Sequence, residues 1–256
     1  MSGPAFPRPV RELPADGEVP RYLHPGWSEA FPWLVQGTTA RGEGEGAWDF
    51  SLFGRGATGQ VLARWEALSR ATGVPRLVHG RQVHGDVVRV HEGGAPGLHL
   101  APSSDGHVTG DGGVLLTVGL ADCVAICLVD PRRRVVALLH AGWRGTAAGI
   151  LERGLEVLFE RLAVPAGDLH AHLGPSICGD CYQVGPEVHE ALGLERPAAP
   201  APVDLRALLA RRARDAGIPT ERITASVHCT RCGDSPFFSH RGGSAARQLA
   251  YLGTLE

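Results

Sequence analysis

The chain has 256 residues, of which 43% are hydrophobic and 20% charged, and its formal net charge is -2. This length allows one large domain or two small ones with a real hydrophobic core, and the composition is that of an ordinary globular protein. Because the charge is close to zero, the composition gives no reason to expect nucleic acid or an acidic membrane surface as a partner.

The first ninety residues mix irregular segments with short regular elements. Residues 1–30 are rich in proline and glycine and predict an extended or disordered N-terminal arm. The glycine-rich residues 41–59 predict a loop. Val61–Thr72 carries apolar residues at helical spacing and predicts a helix. The valines of Arg76–His91 predict one or two strands.

The middle of the chain has the most regular pattern. Three runs rich in β-branched residues and bounded by Gly, Asp or Pro predict neighbouring buried strands at Val114–Val118, Val124–Val129 and Val135–His140. After Gly142 the apolar spacing changes to a helical period. Thr146–Leu162 is therefore predicted as one helix with a single apolar face.

The C-terminal third continues the mixture of strands and helices. Leu169–Leu173 and Arg222–Val227 predict strands, and Leu205–Ala216 predicts a helix with Asp204 as its N-cap. The proline-rich Glu195–Pro202 predicts a surface loop. Because strands and helices do not alternate regularly, the pattern favours an α+β fold over a doubly wound sheet.

Two histidines and one cysteine lie at the ends of predicted strands, beside small residues. His84 and Cys123 lie next to strand ends, and His140 is the last residue of a strand. Two imidazoles and one thiolate suit Zn²⁺, and three protein ligands leave a fourth position for water or substrate. The same set occurs in blue-copper sites, so copper is an alternative metal. Since the three are far apart in sequence, ordinary packing roles are the alternative to a metal site.

Two further motifs suit an anion or a purine ring. In His140–Gly145 (HAGWRG) a strand enters a glycine turn before a helix, so free N–H groups and Arg144 could hold phosphate. The alternative is a plain connection with a solvent-exposed arginine. In Phe237–Arg241 (FFSHR), Phe238 could stack on a base and Arg241 could bind phosphate. A core phenylalanine pair with an exposed basic end explains that pattern equally well.

Four of the six cysteines form two CxxC pairs. The pairs are Cys178 with Cys181 and Cys229 with Cys232, and together they could build a closed Cys₄ zinc site. The insert between them is longer than a zinc ribbon normally uses, which favours thiol pairs, free or oxidised. Cys127, on an apolar strand, is most simply a small core residue.

These motifs occur together in an order that resembles the YfiH family of laccase-domain proteins, also described as multifunctional purine nucleoside phosphorylases. The resemblance extends from residue 82 to residue 248, and its most specific part is ADC followed by HAGWRG. It is carried by Gln82–Gly85 (QVHG), Asp105–Thr109 (DGHVT), Ala121–Cys123 (ADC), His140–Gly145 (HAGWRG), Gly174–Ile177 (GPSI), Cys181–Val184 (CYQV), Cys229–Thr230 (CT), Phe237–Ser239 (FFS) and Arg247–Gln248 (RQ).

The resemblance implies a four-layer fold in which a central β-sandwich of mixed sheets is flanked by helices. It implies one catalytic domain over residues 31–256. It also implies that the metal ligands are His84, Cys123 and His140, each at a motif position of the family.

The implied activity is zinc-dependent phosphorolysis of adenosine or inosine to free base and ribose 1-phosphate, with adenosine deamination as a second activity. Cys123 and Arg144 are the expected catalytic residues, and Arg144, Arg41, Arg241 and Phe238 are the expected substrate or phosphate contacts. Arg41 lies in a segment that departs from the family, because Gln36 replaces a histidine and the arginine is shifted by one position.

Earlier descriptions of the family as a copper-dependent polyphenol oxidase supply the alternative function. A multicopper oxidase needs a trinuclear cluster with many more histidines. This chain has one HxH motif (His170 and His172), and its only methionine is Met1. Oxidation is therefore the second interpretation.

The expected partners are a purine nucleoside and phosphate, without nucleic acid or membrane, and the expected assembly is a monomer or weak homo-oligomer. Met1–Leu13 lacks the apolar core of a signal peptide, and no apolar run reaches the ~20 residues of a membrane span. We therefore expect a cytoplasmic protein whose cysteines are thiols or metal ligands.

Overall fold

The computed structural model describes residues 6–44, 48–52, 54 and 56–255, and parts of the predicted arm (1–5) and of the predicted loop (45–47, 53 and 55) lie outside that set. The strands are, in chain order, Arg8–Val10 (β1), Leu13–Ala15 (β2), Arg21–Leu23 (β3), Leu34–Thr39 (β4), Arg76–Gly80 (β5), Val88–Val90 (β6), Gly97–Ala101 (β7), Gly106–Thr109 (β8), Val114–Leu120 (β9), Val124–Asp130 (β10), Val135–Ala141 (β11), His170–Leu173 (β12), Gln183–Val184 (β13), Ala201–Pro202 (β14), Ile223–Ser226 (β15) and Gln248–Thr254 (β16). The α-helices are Pro25–Ala30 (α1), Thr58–Thr72 (α2), Trp143–Ala148 (α3), Ile150–Leu162 (α4), Pro186–Ala191 (α5) and Leu205–Asp215 (α6).

Two seven-stranded mixed sheets form the centre of the molecule. The first has the order β1-β15-β12-β10-β11-β8-β6, and the second has the order β2-β3-β4-β16-β9-β5-β7. A separate two-stranded ladder joins β13 to β14. The predicted α+β class, with a sandwich of mixed sheets, is confirmed.

The strand pattern explains why the sheets stack. Successive side chains of a strand point to opposite faces, and β10 is apolar on both. Ile126 and its alternate neighbours pack in one core cluster with helices α4 and α6, whereas Cys127 and its alternate neighbours pack in a second cluster against the other sheet. A third cluster packs Trp65 of α2 against the outer face of the second sheet. The result is the four-layer order of helix, sheet, sheet and helix.

One predicted helix differs from the structure. The single helix predicted over Thr146–Leu162 is wrong, because Gly149 divides it into α3 and α4. Gly149 adopts a left-handed φ of 88°, which glycine reaches without the steric cost of a side chain. The prediction of one or two strands within Arg76–His91 is confirmed by β5 and β6, which belong to different sheets.

The segment before α1 takes part in both sheets. β1 pairs with β15 in the first sheet, and β2 and β3 extend the edge of the second.

The predicted N-cap of α6 is confirmed, because the Asp204 carboxylate accepts a hydrogen bond from the Ala207 N–H at 3.0 Å. None of the helices in the described part of the chain combines the length and the apolar character of a membrane span.

Candidate metal centre

The long-range pairing of the first sheet brings His84, Cys123 and His140 together. Cys123 directly precedes β10 and His140 is the penultimate residue of β11, and these strands are antiparallel neighbours. His84 lies in the connection after β5. The donor atoms of all three side chains lie within 4.8 Å of one another. Residues 56 positions apart in sequence therefore meet at one end of the sandwich.

The carboxylate of Asp105 holds two of these residues in place. Its Oδ1 accepts hydrogen bonds from the His140 ring Nδ1 at 2.8 Å and from the His84 backbone N–H at 2.9 Å. Its Oδ2 accepts from the N–H groups of Val83 at 3.0 Å and Gly85 at 2.9 Å. Because Nδ1 of His140 is used in this way, its Nε2 is left to bind a metal. Such a carboxylate–histidine pair is the usual outer support of a protein metal site.

Asp105 was not among the sequence-predicted site residues, although the DGHVT segment contains it. Its role depends on a loop 20 residues earlier folding over it, which no local pattern reports. That loop is strained at His84, whose φ of 60° is unusual for a residue with a side chain. Three N–H donors converging on the Asp105 carboxylate offset that strain. The clearest sequence signal for the role of Asp105 is its position as an acidic residue directly before β8.

The surroundings of Cys123 and His140 favour the thiolate form of the cysteine and the protonated form of the histidine. Burial alone would raise the pKa of the Cys123 thiol, but the positive charge of His140 and hydrogen bonds from His140 and His84 outweigh it and lower that pKa to about 6. Burial would lower the pKa of His140, but the Cys123 thiolate and the Asp105 hydrogen bond raise it to about 9. Cys123 is therefore a thiolate at neutral pH, the form in which cysteine binds metals.

The donor set and the space around it fit a single metal ion. Two imidazole nitrogens and one thiolate are ligands that Zn²⁺ and copper both accept. Gly142 lies directly against them, since a side chain there would place its Cβ 2.9 Å from the Cys123 Sγ and 3.3 Å from the His84 ring. A glycine at this position keeps the neighbourhood of the ligands free of side-chain atoms.

The three candidate ligands border two cavities. His84, Cys123 and His140 all line a cavity of about 480 Å³, with Phe50, His79 and Arg247 among the other lining residues. His84 and Cys123 also line a smaller cavity of about 280 Å³ on the side of Trp143 and Tyr182. A metal held by the three ligands would therefore be accessible from both cavities.

The smaller cavity contains the two arginines predicted at the site. Arg144 lies over the ring of Trp143 with 4.3 Å between its Cζ and the ring centroid, and Arg241 lies over the ring of Tyr182 at 5.0 Å. Stacking on an aromatic ring fixes a guanidinium without using its N–H donors, although the Arg241 Nη1 donates a 2.9 Å hydrogen bond to the Gln183 carbonyl, so only its remaining N–H groups can face a ligand. Helix α3 has only six residues, so its dipole is smaller than the predicted long helix would supply.

Arg41 and Phe238 lie in a different place from the metal ligands. Both line a third cavity, of about 810 Å³, on the other side of the segment 237–244. Phe238 is only 6% exposed, which fits a core residue better than a stacking platform. Their contact with substrate stays a prediction, and the structure does not bring them to the cluster of His84, Cys123 and His140, called the His84 group below.

The position of Asp105 leads to a testable expectation. Replacing it in Asp105→Asn keeps its size but removes the charge that orients His140, so the affinity for zinc should fall about 10- to 100-fold. Isothermal titration of metal-stripped protein with zinc measures this change. Asp111→Asn is the matched control, because the Asp111 carboxylate also accepts a backbone hydrogen bond, from the Gly93 N–H, but contacts none of the three candidate ligands. Equal zinc affinity in Asp105→Asn and the unchanged protein would contradict the assigned role.

Comparison with known proteins adds sequence and fold relationships. Residues 47–254 match the sequence model of a family described as multi-copper polyphenol oxidoreductase laccase. The chain is 36% identical over 214 residues to "Purine nucleoside phosphorylase YlmD" of Geobacillus stearothermophilus, covering 76% of this chain and 77% of that protein. It is 40% identical over 148 residues to "Adenosine deaminase RL5" of an unknown prokaryotic organism, covering 54% of this chain and 56% of that protein. The crystal structure of Bacillus licheniformis hypothetical protein YfiH superimposes with a TM-score of 0.84 at 25% identity, covering 94% of this chain and 98% of that one.

Proposed function

The chain belongs to the laccase-domain family that includes these relatives, and from the site it builds we propose that it is a zinc-dependent purine nucleoside phosphorylase. The observation that carries the proposal is the three-ligand His84, Cys123 and His140 group, which borders both a large cavity and a small cavity with two arginines. The names of the relatives support the substrate class, and the two cavities beside these residues support the proposed positions of the two substrates.

Zinc is the proposed metal, and copper is the alternative. Three protein ligands with an open fourth position are typical of catalytic zinc sites. When bound, such a metal polarises an oxygen ligand and lowers the pKa of a bound water.

The chain's own residues divide the two substrates between the two cavities. Arg144 and Arg241 offer guanidinium donors for phosphate in the smaller cavity, since guanidinium forks match the oxygens of a phosphate. The larger cavity, of about 480 Å³, lies within the range of small-ligand pockets and receives the nucleoside. Holding both substrates beside the ligands supplies the proximity that a two-substrate reaction needs.

Adenosine deamination is a second candidate activity. The open position that suits a substrate oxygen also suits an activated water, and a relative carries the name adenosine deaminase. Deamination would use the larger cavity without the phosphate contacts of the smaller one. The two activities therefore differ in their dependence on phosphate.

Polyphenol oxidation has weaker support, although the description of the family model names it. In the described part of the chain, two groups of three or more His, Cys, Asp or Glu donors could hold a metal. One is the His84 group and the other consists only of cysteines. Neither supplies the cluster of histidines that a trinuclear copper site requires.

The proposed setting is the cytoplasm, with the chain as a monomer or weak homo-oligomer. All six cysteines are free in the structure, and a reducing compartment would keep them as thiols or metal ligands. No nucleic acid or membrane partner is proposed. Sedimentation of the purified protein would measure the assembly, and a stable higher oligomer would contradict this part of the proposal.

Product analysis tests the proposed reaction. Purified zinc-loaded protein is incubated with adenosine, with and without phosphate, and every product is identified. Phosphate-dependent adenine and ribose 1-phosphate are expected, and inosine formed without phosphate would show deamination as well. Unchanged nucleoside at every phosphate concentration, together with copper-dependent oxygen uptake on phenols, would replace the proposal with the oxidase.

The charged pair at the site predicts how zinc binding depends on pH. The lowered pKa of Cys123 and the raised pKa of His140 mean that between about pH 6 and pH 9 the pair holds one proton, on His140. Zinc needs both groups deprotonated, so binding at pH 7.5 should release about one proton from the pair, and below pH 6 it should release two. Calorimetry in buffers of different ionisation heat measures this number, and subtracting the release measured in Cys123→Ala, which lacks the site, removes the contribution of zinc bound elsewhere on the chain. Release of no proton at pH 7.5 would contradict the pairing.

A further inference from the structure

Four cysteines outside the proposed catalytic site form a compact group, which we call the cysteine quartet: Cys178, Cys181, Cys229 and Cys232. Their sulfur atoms all lie within 4.8 Å of one another. The Cys232 Sγ is 3.3 Å from the Cys181 Sγ and 3.7 Å from the Cys178 Sγ. The long insert between Cys181 and Cys229, which favours separate thiol pairs in the sequence, contains β13, α5, β14, α6 and β15 in the structure.

We propose that the cysteine quartet binds one zinc ion in a closed tetrahedral site, separate from the proposed catalytic metal. A Zn–S bond of about 2.3 Å places the sulfurs of a regular tetrahedron about 3.8 Å apart, which is close to the observed spacing. Four thiolates without other donors are the ligand set of structural zinc. The proposal does not depend on the proposed function, because it concerns different residues.

The backbone around the quartet is arranged for charged sulfur. The N–H groups of Cys178 and Arg231 point to the Cys229 Sγ, at 3.3 Å and 3.4 Å. N–H donors aimed at a sulfur stabilise its thiolate form. The guanidinium of Arg231 is held beside the group by a 3.2 Å hydrogen bond to the Cys181 carbonyl. A zinc bound by four thiolates carries a net negative charge, which this arginine offsets.

The quartet joins two loops that support the catalytic cavity. One loop follows β12 and the other follows β15, and they touch through a parallel bridge between Ser176 and Cys229. Inside the second CxxC, the Thr230 hydroxyl donates a 2.6 Å hydrogen bond to the buried carboxylate of Asp122, the residue before Cys123. Tyr182, next to Cys181, lines the smaller cavity. A zinc at the quartet would fix both loops against the site.

Two other arrangements of the quartet fit less well. Two isolated disulfides would separate the sulfurs into pairs, whereas Cys232 lies close to both cysteines of the other CxxC. An iron–sulfur cluster distributes its four cysteines over two or more irons, and so spreads some of them further apart than a single ion does. The surface position also suits a structural ion, because Cys232 is exposed and the other three are half-buried.

Metal content of the full chain tests the proposal. The protein as purified should contain two zinc ions per chain. His84→Ala should keep one, and Cys178→Ser or Cys232→Ser should also keep one. Cys127→Ala is the matched control, since it removes a thiol from the inter-sheet core and should keep both ions. Elemental analysis and mass spectrometry under native conditions give these numbers.

A second measurement does not depend on the folding of the cysteine variants. His84→Ala is stripped of zinc and loaded with Co²⁺, and its visible spectrum should show thiolate-to-cobalt charge transfer with the intense bands of a tetrahedral site. Zinc added in excess should bleach it. His84→Ala without a stoichiometric metal, iron in place of zinc, or disulfides among the quartet in the purified protein would each overturn the proposal. The unchanged protein could also hold a single zinc that His84→Ala keeps and Cys178→Ser loses. That result would support the quartet and contradict the catalytic metal, so the two proposals fail separately.

Discussion

Replacing Cys123 with alanine is expected to remove the catalytic metal and to lower phosphorolysis about a thousandfold. Cys123 supplies the single thiolate of the site. Its removal takes away one ligand and also the negative charge that helps to raise the pKa of His140. Metal-assisted charge stabilisation contributes several kcal/mol to such reactions, and each 1.4 kcal/mol corresponds to about a tenfold change in rate. The rate of adenine release and the zinc content of the purified variant are the two measurements.

The other two ligands should behave in the same way. His84→Ala and His140→Ala are each expected to lose the same ion, whereas Cys127→Ala, with its thiol in the inter-sheet core, should keep both the ion and the activity. Circular dichroism checks that each variant folds. If all three ligand variants retained full zinc content, the metal assignment would be wrong.

The second large effect is expected at Arg144. Arg144→Ala should lower the rate at subsaturating phosphate about 100- to 1,000-fold, because losing one hydrogen-bond donor to an oxyanion costs about 2.7–4 kcal/mol. Zinc content should stay unchanged, since Arg144 lines the smaller cavity without being a ligand. Rates measured over a range of phosphate and nucleoside concentrations separate the two substrates, and the loss should appear in the phosphate dependence.

Two comparison variants sharpen the result for Arg144. Arg144→Lys keeps the charge but loses the forked donors and the stacking on Trp143, so it should recover only part of the activity. Arg161→Ala removes an arginine that lines a remote cavity and should have no effect. A phosphate dependence in Arg144→Ala equal to that of the unchanged protein would remove phosphate binding from this residue.

Much of the two central sheets could be predicted from the sequence, because their strands carry a local signal. The runs at β9, β10 and β11 are rich in β-branched residues and bounded by turn residues, and each forms a strand in the structure. The predicted adjacency holds for β10 and β11 in the first sheet and is wrong for β9, which belongs to the second sheet. The helix after β11 was predicted as one piece because apolar periodicity continues through Gly149. The left-handed turn at that glycine is a backbone property that the periodicity does not report.

The site was predictable only in part, because its geometry comes from long-range contacts. The resemblance pointed to His84, Cys123 and His140, but local pattern alone left them as separate residues. Asp105 was missed since its four hydrogen bonds reach a loop and a strand that are distant in sequence. The length of the insert between the two CxxC pairs disfavours a shared site in the sequence, but in the structure the insert returns through α6 and the sheet strand β15, which bring Cys229 and Cys232 beside Cys178 and Cys181.

The most direct test of the central claim is zinc-dependent formation of ribose 1-phosphate from inosine. Metal-stripped protein is titrated with zinc at fixed phosphate, and ribose 1-phosphate is measured alongside occupancy of the His84, Cys123 and His140 group. The rate should rise in proportion to the occupancy of that group and should stay near zero in Cys123→Ala. Ribose 1-phosphate formed equally fast by the stripped protein, or not formed at any zinc and phosphate concentration, would contradict the account.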